Sequence, residues 1–149
     1  MNDYKKINAS HHLSAYQVKV PYWNSTKAIR TPFLNWSKGG ALSWYQDYNS
    51  LKHDRYVEFS KASFENLLDA CCGLLILLSA QFARYDFVPE PTFLTMAGGN
   101  DVGMAFGIGG YFQVKFPDDL LDEEFYDFDW EVIKQEPDPF QSFDYRTIK

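Results

Sequence analysis

Ser63-Phe64-Glu65-Asn66-Leu67-Leu68-Asp69-Ala70-Cys71-Cys72-Gly73-Leu74-Leu75-Ile76-Leu77-Leu78-Ser79-Ala80-Gln81-Phe82-Ala83-Arg84 is the greasiest stretch of the chain, and its reading decides the fold. Leu67, Leu68, Cys71, Leu74, Leu75, Leu78 and Phe82 recur at helical spacing, which predicts a helix over 63–84. Ser63 is placed to cap it, although Ser60 could start the turn earlier, and Glu65 in the first turn suits the positive end of the helix dipole. Ala70, Cys72, Leu77 and Ala80 make the opposite side apolar too. A helix apolar on so many sides must be covered on most of them, which one companion helix cannot do. The expectation is that another chain, or the C-terminal segment, wraps it. Asp69 precedes the Leu74–Leu78 run, and Gln81 and Arg84 follow it. The apolar part thus falls short of the about 20 residues a membrane span needs, so a core helix and no membrane contact are expected.

Working outward toward the N-terminus, Trp44-Tyr45-Gln46-Asp47-Tyr48-Asn49-Ser50-Leu51-Lys52-His53-Asp54-Arg55 concentrates the residues capable of chemistry. A helix over 41–54 would turn Leu42, Trp44, Tyr45, Tyr48 and Leu51 toward a partner helix. Asn49 and His53 would stand one turn apart on another face, with Lys52 and Tyr56 beside them. An amide, an imidazole and an ammonium brought together can hold an anion or poise a histidine for proton transfer; they can equally form a polar knot that locks two helices. Lys38-Gly39-Gly40 is the break before this helix. Further upstream, Pro21 and Pro32 bracket a loop whose Trp23, Phe33 and Trp36 are expected to lie on the core. Residues 1–20 alternate weakly through Leu13, Ala15, Gln17, Val18 and Val20, compatible with an extended segment or short strand.

Beyond the apolar helix the character changes at Val88-Pro89-Glu90-Pro91. Residues 92–116 read as a β hairpin: a first strand at Thr92–Met96, a turn at Gly98-Gly99-Asn100-Asp101, and a glycine-interrupted strand from Gly103 to Phe116. Gly107-Ile108-Gly109 lacks the Gly-Lys-Ser/Thr end of a phosphate loop and opens no helix, so a bulged or tightly packed hairpin is expected there. Residues 117–149 interleave carboxylates with Phe125, Tyr126, Phe128, Trp130, Phe140, Phe143 and Tyr145. Their order matches no calcium loop, and nothing tunes Asp127 and Asp129 apart as a hydrolytic pair would require. They read as an acidic arm that docks on its own core or on a partner. The expected architecture is one α+β domain: an extended and loop segment over 1–40, a helical-hairpin core over 41–86, a short β segment and the acidic C-terminal arm.

With 149 residues, 46% of them hydrophobic, the chain can bury one substantial core. A net charge of −6 argues against a protein that grips nucleic acid through its overall field, so DNA is not expected as a ligand and RNA only through a local contact. Cys71 and Cys72 are adjacent, project about 100° apart on a helix and rarely pair, which fits a reducing cytoplasm. Both are expected as buried small hydrophobes. They are too few for structural zinc, and His11, His12 and His53 would need further ligands, so no metal or cofactor is expected.

The stretch Tyr48-Asn49-Ser50-Leu51-Lys52-His53-Asp54-Arg55, followed by Ala62–Ala70, resembles uncharacterised bacterial proteins with a Tyr-Asn-x-x-Lys-His-x-Arg signature ahead of a long apolar helix. More distantly it is similar to the HEPN superfamily of helical proteins, many of them ribonucleases of toxin–antitoxin and phage-defence systems. The resemblance spans roughly residues 30–84 and implies a half bundle. It assigns Asn49 to that superfamily's polar position and His53 to its histidine, while Tyr48 stands where the superfamily has arginine and Arg55 lies beyond the histidine. It also implies completion of the bundle by a homodimer or a separately encoded partner.

Two functions follow. In the leading one these residues are structural and the chain is a non-catalytic interaction module or subunit, with His53 and Asn49 bonded across helices and Arg55 paired to Asp54, Glu58 or the arm. In the alternative, a metal-independent endoribonuclease or RNA-binding protein, His53 is the general acid or base and Asn49 orients it. Lys52 or Arg55 then stabilises charge on the phosphate, and Tyr56 adjoins the substrate.

Overall fold

The computed structural model describes residues 2–20, 26–82, 103–107, 111–120 and 135. Helix α1 (Asn2–His11) leads into strand β1 (Gln17–Lys19) and strand β2 (Ile29–Arg30); helices α2 (Ser43–His53) and α3 (Phe64–Phe82) follow, then strands β3 (Ala105–Phe106) and β4 (Gln113–Lys115). The strands form one antiparallel sheet in the order β2-β1-β4-β3. The fold is therefore mixed helix and strand, as expected, with a different distribution of the parts.

The N-terminal segment, expected to be extended and looped, opens with α1. It ends at His12, whose backbone is left-handed (φ 51°), and the Asn8 side chain accepts the Ser14 N–H at 2.7 Å. The carboxylate of Asp119 lies 3.3 Å from the His12 ring. In the glycine-containing β segment β3 pairs antiparallel with β4, and β4 also pairs with β1, so a strand after α3 is knitted to one before α2. Strands of two or three residues carry too little alternation to be read as elements of a shared sheet. Thr92–Met96 and the acidic arm beyond Leu120, Gln135 apart, lie outside the described residues, as does Trp23.

One core joins sheet and helices. Leu13, Tyr16, Val18, Cys72, Ile76 and Val114 are at most 2% exposed, and α3 packs across β1. Ser63 caps α3 as its sequence position implies, its hydroxyl accepting the Asn66 N–H at 3.2 Å. The polar residues along the sheet edge of α3 are paired: Arg30 of β2 donates to Asp69 at 2.6 Å and to Glu65 at 3.2 Å, and Lys27 stands 3.4 Å from Glu65. The hydrogen bond from Arg30 and the charge of Lys27 hold the Glu65 carboxyl below its ordinary value. Cys72 is buried, and burial pushes its thiol up to about 12, whereas Cys71, expected to be buried as well, is exposed. By length and composition α3 could cross a membrane, yet its sheet side and its ion-paired Asp69 are those of a core helix.

Phe33 is 3% exposed and packs on Trp36, so these two of the three expected rings lie on the core, while Trp23 falls outside the described residues. Gly73 lets it do so, since a Cβ there would stand 3.4 Å from the Phe33 ring and 3.5 Å from Trp44. Gly107 belongs to a tightly packed hairpin rather than a phosphate cradle. Its N–H donates to the Phe112 carbonyl at 2.8 Å, and an added Cβ would lie 2.8 Å from the fully buried Val114.

Two outcomes follow from this packing. Gly107→Ala forces Val114 aside and lowers stability by about 1–3 kcal/mol in urea titration, the usual cost of overpacking a core. Because the Glu65 pKa is depressed in the folded state, its contribution to stability is present above the ordinary carboxylate value of 4.5 and is lost as pH falls through the depressed one. Glu65→Gln should flatten the acid limb of the stability–pH curve in that window and leave the neutral-pH baseline straight.

Candidate functional site

Helix α2 is half-buried through Trp44, Tyr45 and Leu51, and it packs on α3. The contact is organised by rings. Phe33 meets Trp44 edge-on at 6.2 Å, Trp44 meets Tyr45 at 5.9 Å, and Tyr45 meets Tyr48 at 6.2 Å, a series that runs from the core to a tyrosine 55% exposed. The Trp44 indole N–H is satisfied by the Pro32 carbonyl at 2.9 Å. At the other end of the seam the Asn66 amide of α3 donates to Asp47 of α2 and to the Lys61 carbonyl, both at 2.9 Å, which sets the register of the two helices.

The predicted site residues sit apart from this seam. Asn49 is half-buried on α2; Lys52 and His53 are exposed in its last turn, and Arg55 and Tyr56 are exposed in the turn beyond, Tyr56 at 95%. Among the described residues, the side chains of Asn49, Lys52, His53 and Arg55 make no hydrogen bond or ion pair with another group. The expected polar knot is thus not formed among the described residues, and the acidic arm, the other partner expected for Arg55, lies outside them. Asp54 turns its carboxylate to the Val57 N–H at 3.1 Å, and Glu58 pairs with Lys61 at 2.7 Å, so neither holds Arg55. The physical reason is local: the helix stops at His53, and the following turn carries Arg55 and Tyr56 into solvent before they can reach α3. Lys52 and His53 in the last turn also suit the negative end of the α2 dipole, a sufficient local reason for basic residues there.

The histidines do not converge either. His11 bonds Ser10 at 2.7 Å, and burial lowers its pKa, so it stays neutral at pH 7. Among the described residues no group of three or more His, Cys, Asp or Glu is placed to hold a metal ion. The Asp127 and Asp129 pair lies outside the described residues.

Two concavities open along the α2–α3 seam, and sequence reasoning did not locate them. One, of about 500 Å³, is walled by Phe33, Trp36, Leu42, Leu74 and Leu77; the other, of about 640 Å³, by Tyr48, Leu51, Phe64 and Leu67, with Lys61 at its rim. Trp44, Tyr45 and Ala70 line both, so the two adjoin along a shared apolar wall. Each has the volume of an ordinary ligand or peptide site. None of Asn49, Lys52, His53, Arg55 or Tyr56 lines either one. The signal for them was the all-round apolarity of α3, which announced a need for cover without saying which face lacked it.

Since these side chains support no other group, His53→Ala and Asn49→Ala should each leave stability within about 0.5 kcal/mol of wild type in chemical denaturation. A loss several times larger would restore the polar knot. No family model matches this chain, and neither does any curated protein or solved structure.

Proposed function

We propose that the protein is a non-catalytic interaction subunit whose working surface is the α2–α3 hairpin. The observation that carries this reading is the outer face of α3, where Phe64, Leu67 and Leu74 are 58–65% exposed beside the two apolar concavities. A contiguous apolar surface of that kind on a folded chain marks a contact site. In this reading the hairpin is half of a helical bundle that a second chain completes, as the resemblance to the HEPN superfamily implies, and a bacterial defence or toxin–antitoxin pairing in the cytoplasm is the setting. The acidic arm adds aromatic and charged contacts to the same assembly.

Metal-independent RNA cleavage is the second reading, favoured by one observation: Lys52, His53 and Arg55 are exposed and unengaged, open to a phosphate backbone. Against it, no group among the described residues orients the His53 ring, and His53 lines neither concavity that could exclude water from a bound substrate. General acid–base catalysis needs the histidine held within hydrogen-bond reach of the proton it moves.

The two readings separate in one experiment. A mixed RNA pool incubated with the protein in EDTA should remain as intact as in buffer, and folded His53→Ala should behave identically. Affinity purification from the native cells should recover a stoichiometric partner chain, retained by His53→Ala and lost by Leu67→Arg. RNA cleavage by wild type that disappears in His53→Ala would transfer the function to the ribonuclease reading.

A further inference from the structure

The outer face of α3 has a spacing of its own. Phe64, Leu67, Cys71, Leu74 and Leu78 recur at intervals of three and four, the pattern that lets one helix seat the side chains of another between its own. Leu67 and Leu74 are 59% and 58% exposed, and Cys71 is exposed between them. The stripe carries no charge. The two acidic residues of α3, Glu65 and Asp69, are turned to the sheet edge and engaged by Arg30.

We propose that a second copy of this chain covers the stripe, α3 against α3 in antiparallel array, with the two-fold axis beside Cys71 and Leu74. The inference rests on the interaction-subunit reading and commits it to one partner. Three observations favour a copy of itself. The first is self-complementarity. A two-fold near the middle of the helix sets Leu67 against the partner copy's Leu78 and Cys71 against its Leu74, so the central layers are apolar, the end layers pair Phe64 with the partner copy's Gln81, and α3 overlaps its mate along nearly its whole length of about 28 Å. The second is charge. The exposed cations Lys52 and Arg55 lie near the N-terminal end of α3, because α2 runs back along it through the Asp47–Asn66 bond. A parallel pair would bring these like charges together, whereas an antiparallel pair holds them at opposite ends. The net charge of −6 sits in residues 121–149, which hold 9 of the 20 Asp and Glu but only 3 of the 14 Lys and Arg, so residues 1–120, which carry the stripe, are neutral.

The third is size. An open aromatic side chain presents about 150–250 Å², so at their fractional exposures Tyr48, Phe64, Leu67, Leu74 and Leu77 present on the order of 500 Å². Over two copies that is roughly 1,000 Å², the size a specific interface has to reach.

The test combines sedimentation with site-selective cross-linking of the full chain. Wild type should sediment as a dimer at micromolar concentration. A short bismaleimide should join two copies through Cys71: Cys72→Ser, at the buried neighbour, keeps the cross-link and Cys71→Ser abolishes it. Leu67→Arg and Leu74→Arg should each weaken dimerisation about a hundredfold or more, and Leu67→Gln/Leu74→Gln gives a milder control should either arginine variant misfold. A chain that sediments as a monomer at every concentration overturns the proposal. So does a dimer that survives the stripe substitutions. In either case the interaction-subunit reading is decided separately, by whether a different chain co-purifies with wild type and is lost with Leu67→Arg.

Discussion

A nineteen-residue helix that is apolar on nearly every side imposes its demand for cover on the rest of the molecule. Helix α3 meets that demand on two sides within its own chain. Leu68, Cys72, Leu75 and Ile76 are at most 8% exposed and face the sheet side of the core, and Gly73 and Ala70 receive the rings of the α2 side. The third side is open. Fully burying a Leu side chain is worth about 1.5–3 kcal/mol, so leaving Leu67 and Leu74 more than half exposed forgoes about 2–4 kcal/mol, a sizeable part of a small domain's margin. Among the described residues the sheet, the aromatic loop and α2 cover two sides of α3, and what they leave uncovered is the surface on which the proposed function rests.

Covering a helix with a sheet of two- and three-residue strands is demanding, since such strands contribute few ladder bonds. Side chains supply the rest of the hold. Arg30, at the edge strand, is only 11% exposed and engages Asp69 and Glu65, so the sheet edge is tied to α3 by charge where it lacks length. Burial works against the Arg30 charge, but the hydrogen bonds and charges of Asp69 and Glu65 raise its pKa above the ordinary value. On the far side, Gly107 lets the backbone that follows β3 close on Val114 of β4 with no side chain between.

The helices were legible because their signals are local and long. Ser63, the 3.6 period of α3 and the break at Gly39, whose φ is +69°, each act within a few residues of where they are read. The sheet was not, because its central pairing joins Val18 to Val114 across almost the whole chain and neither strand alternates long enough to announce it. Helix α1 was missed because its apolar positions are too few to mark a period, while the later residues Leu13 to Val20 drew the reading toward a strand. For the site, the residue types of the α2 signature were plain and their surroundings were not: whether Asn49 and His53 face a groove, a neighbour or water depends on where the helix stops and which way the next turn goes.

That stopping point divides the signature by role. Asp47 holds Asn66, and Asp54 holds the Val57 N–H, so these two residues fold the hairpin and its turn. Tyr48 ends the ring series and walls the larger concavity. Asn49, Lys52, His53 and Arg55 do none of these things. The helix dipole accounts for a basic residue at positions 52 and 53, and it accounts for neither the half-buried amide of Asn49 nor the guanidinium of Arg55 in the turn beyond. Side chains that the fold does not use are ordinary solvated surface or are kept for something outside the fold. In the proposed assembly they would lie outside the apolar centre, since none of them lines either concavity, and a polar periphery of that kind is the composition by which protein contacts exclude water at the middle and stay soluble at the edge.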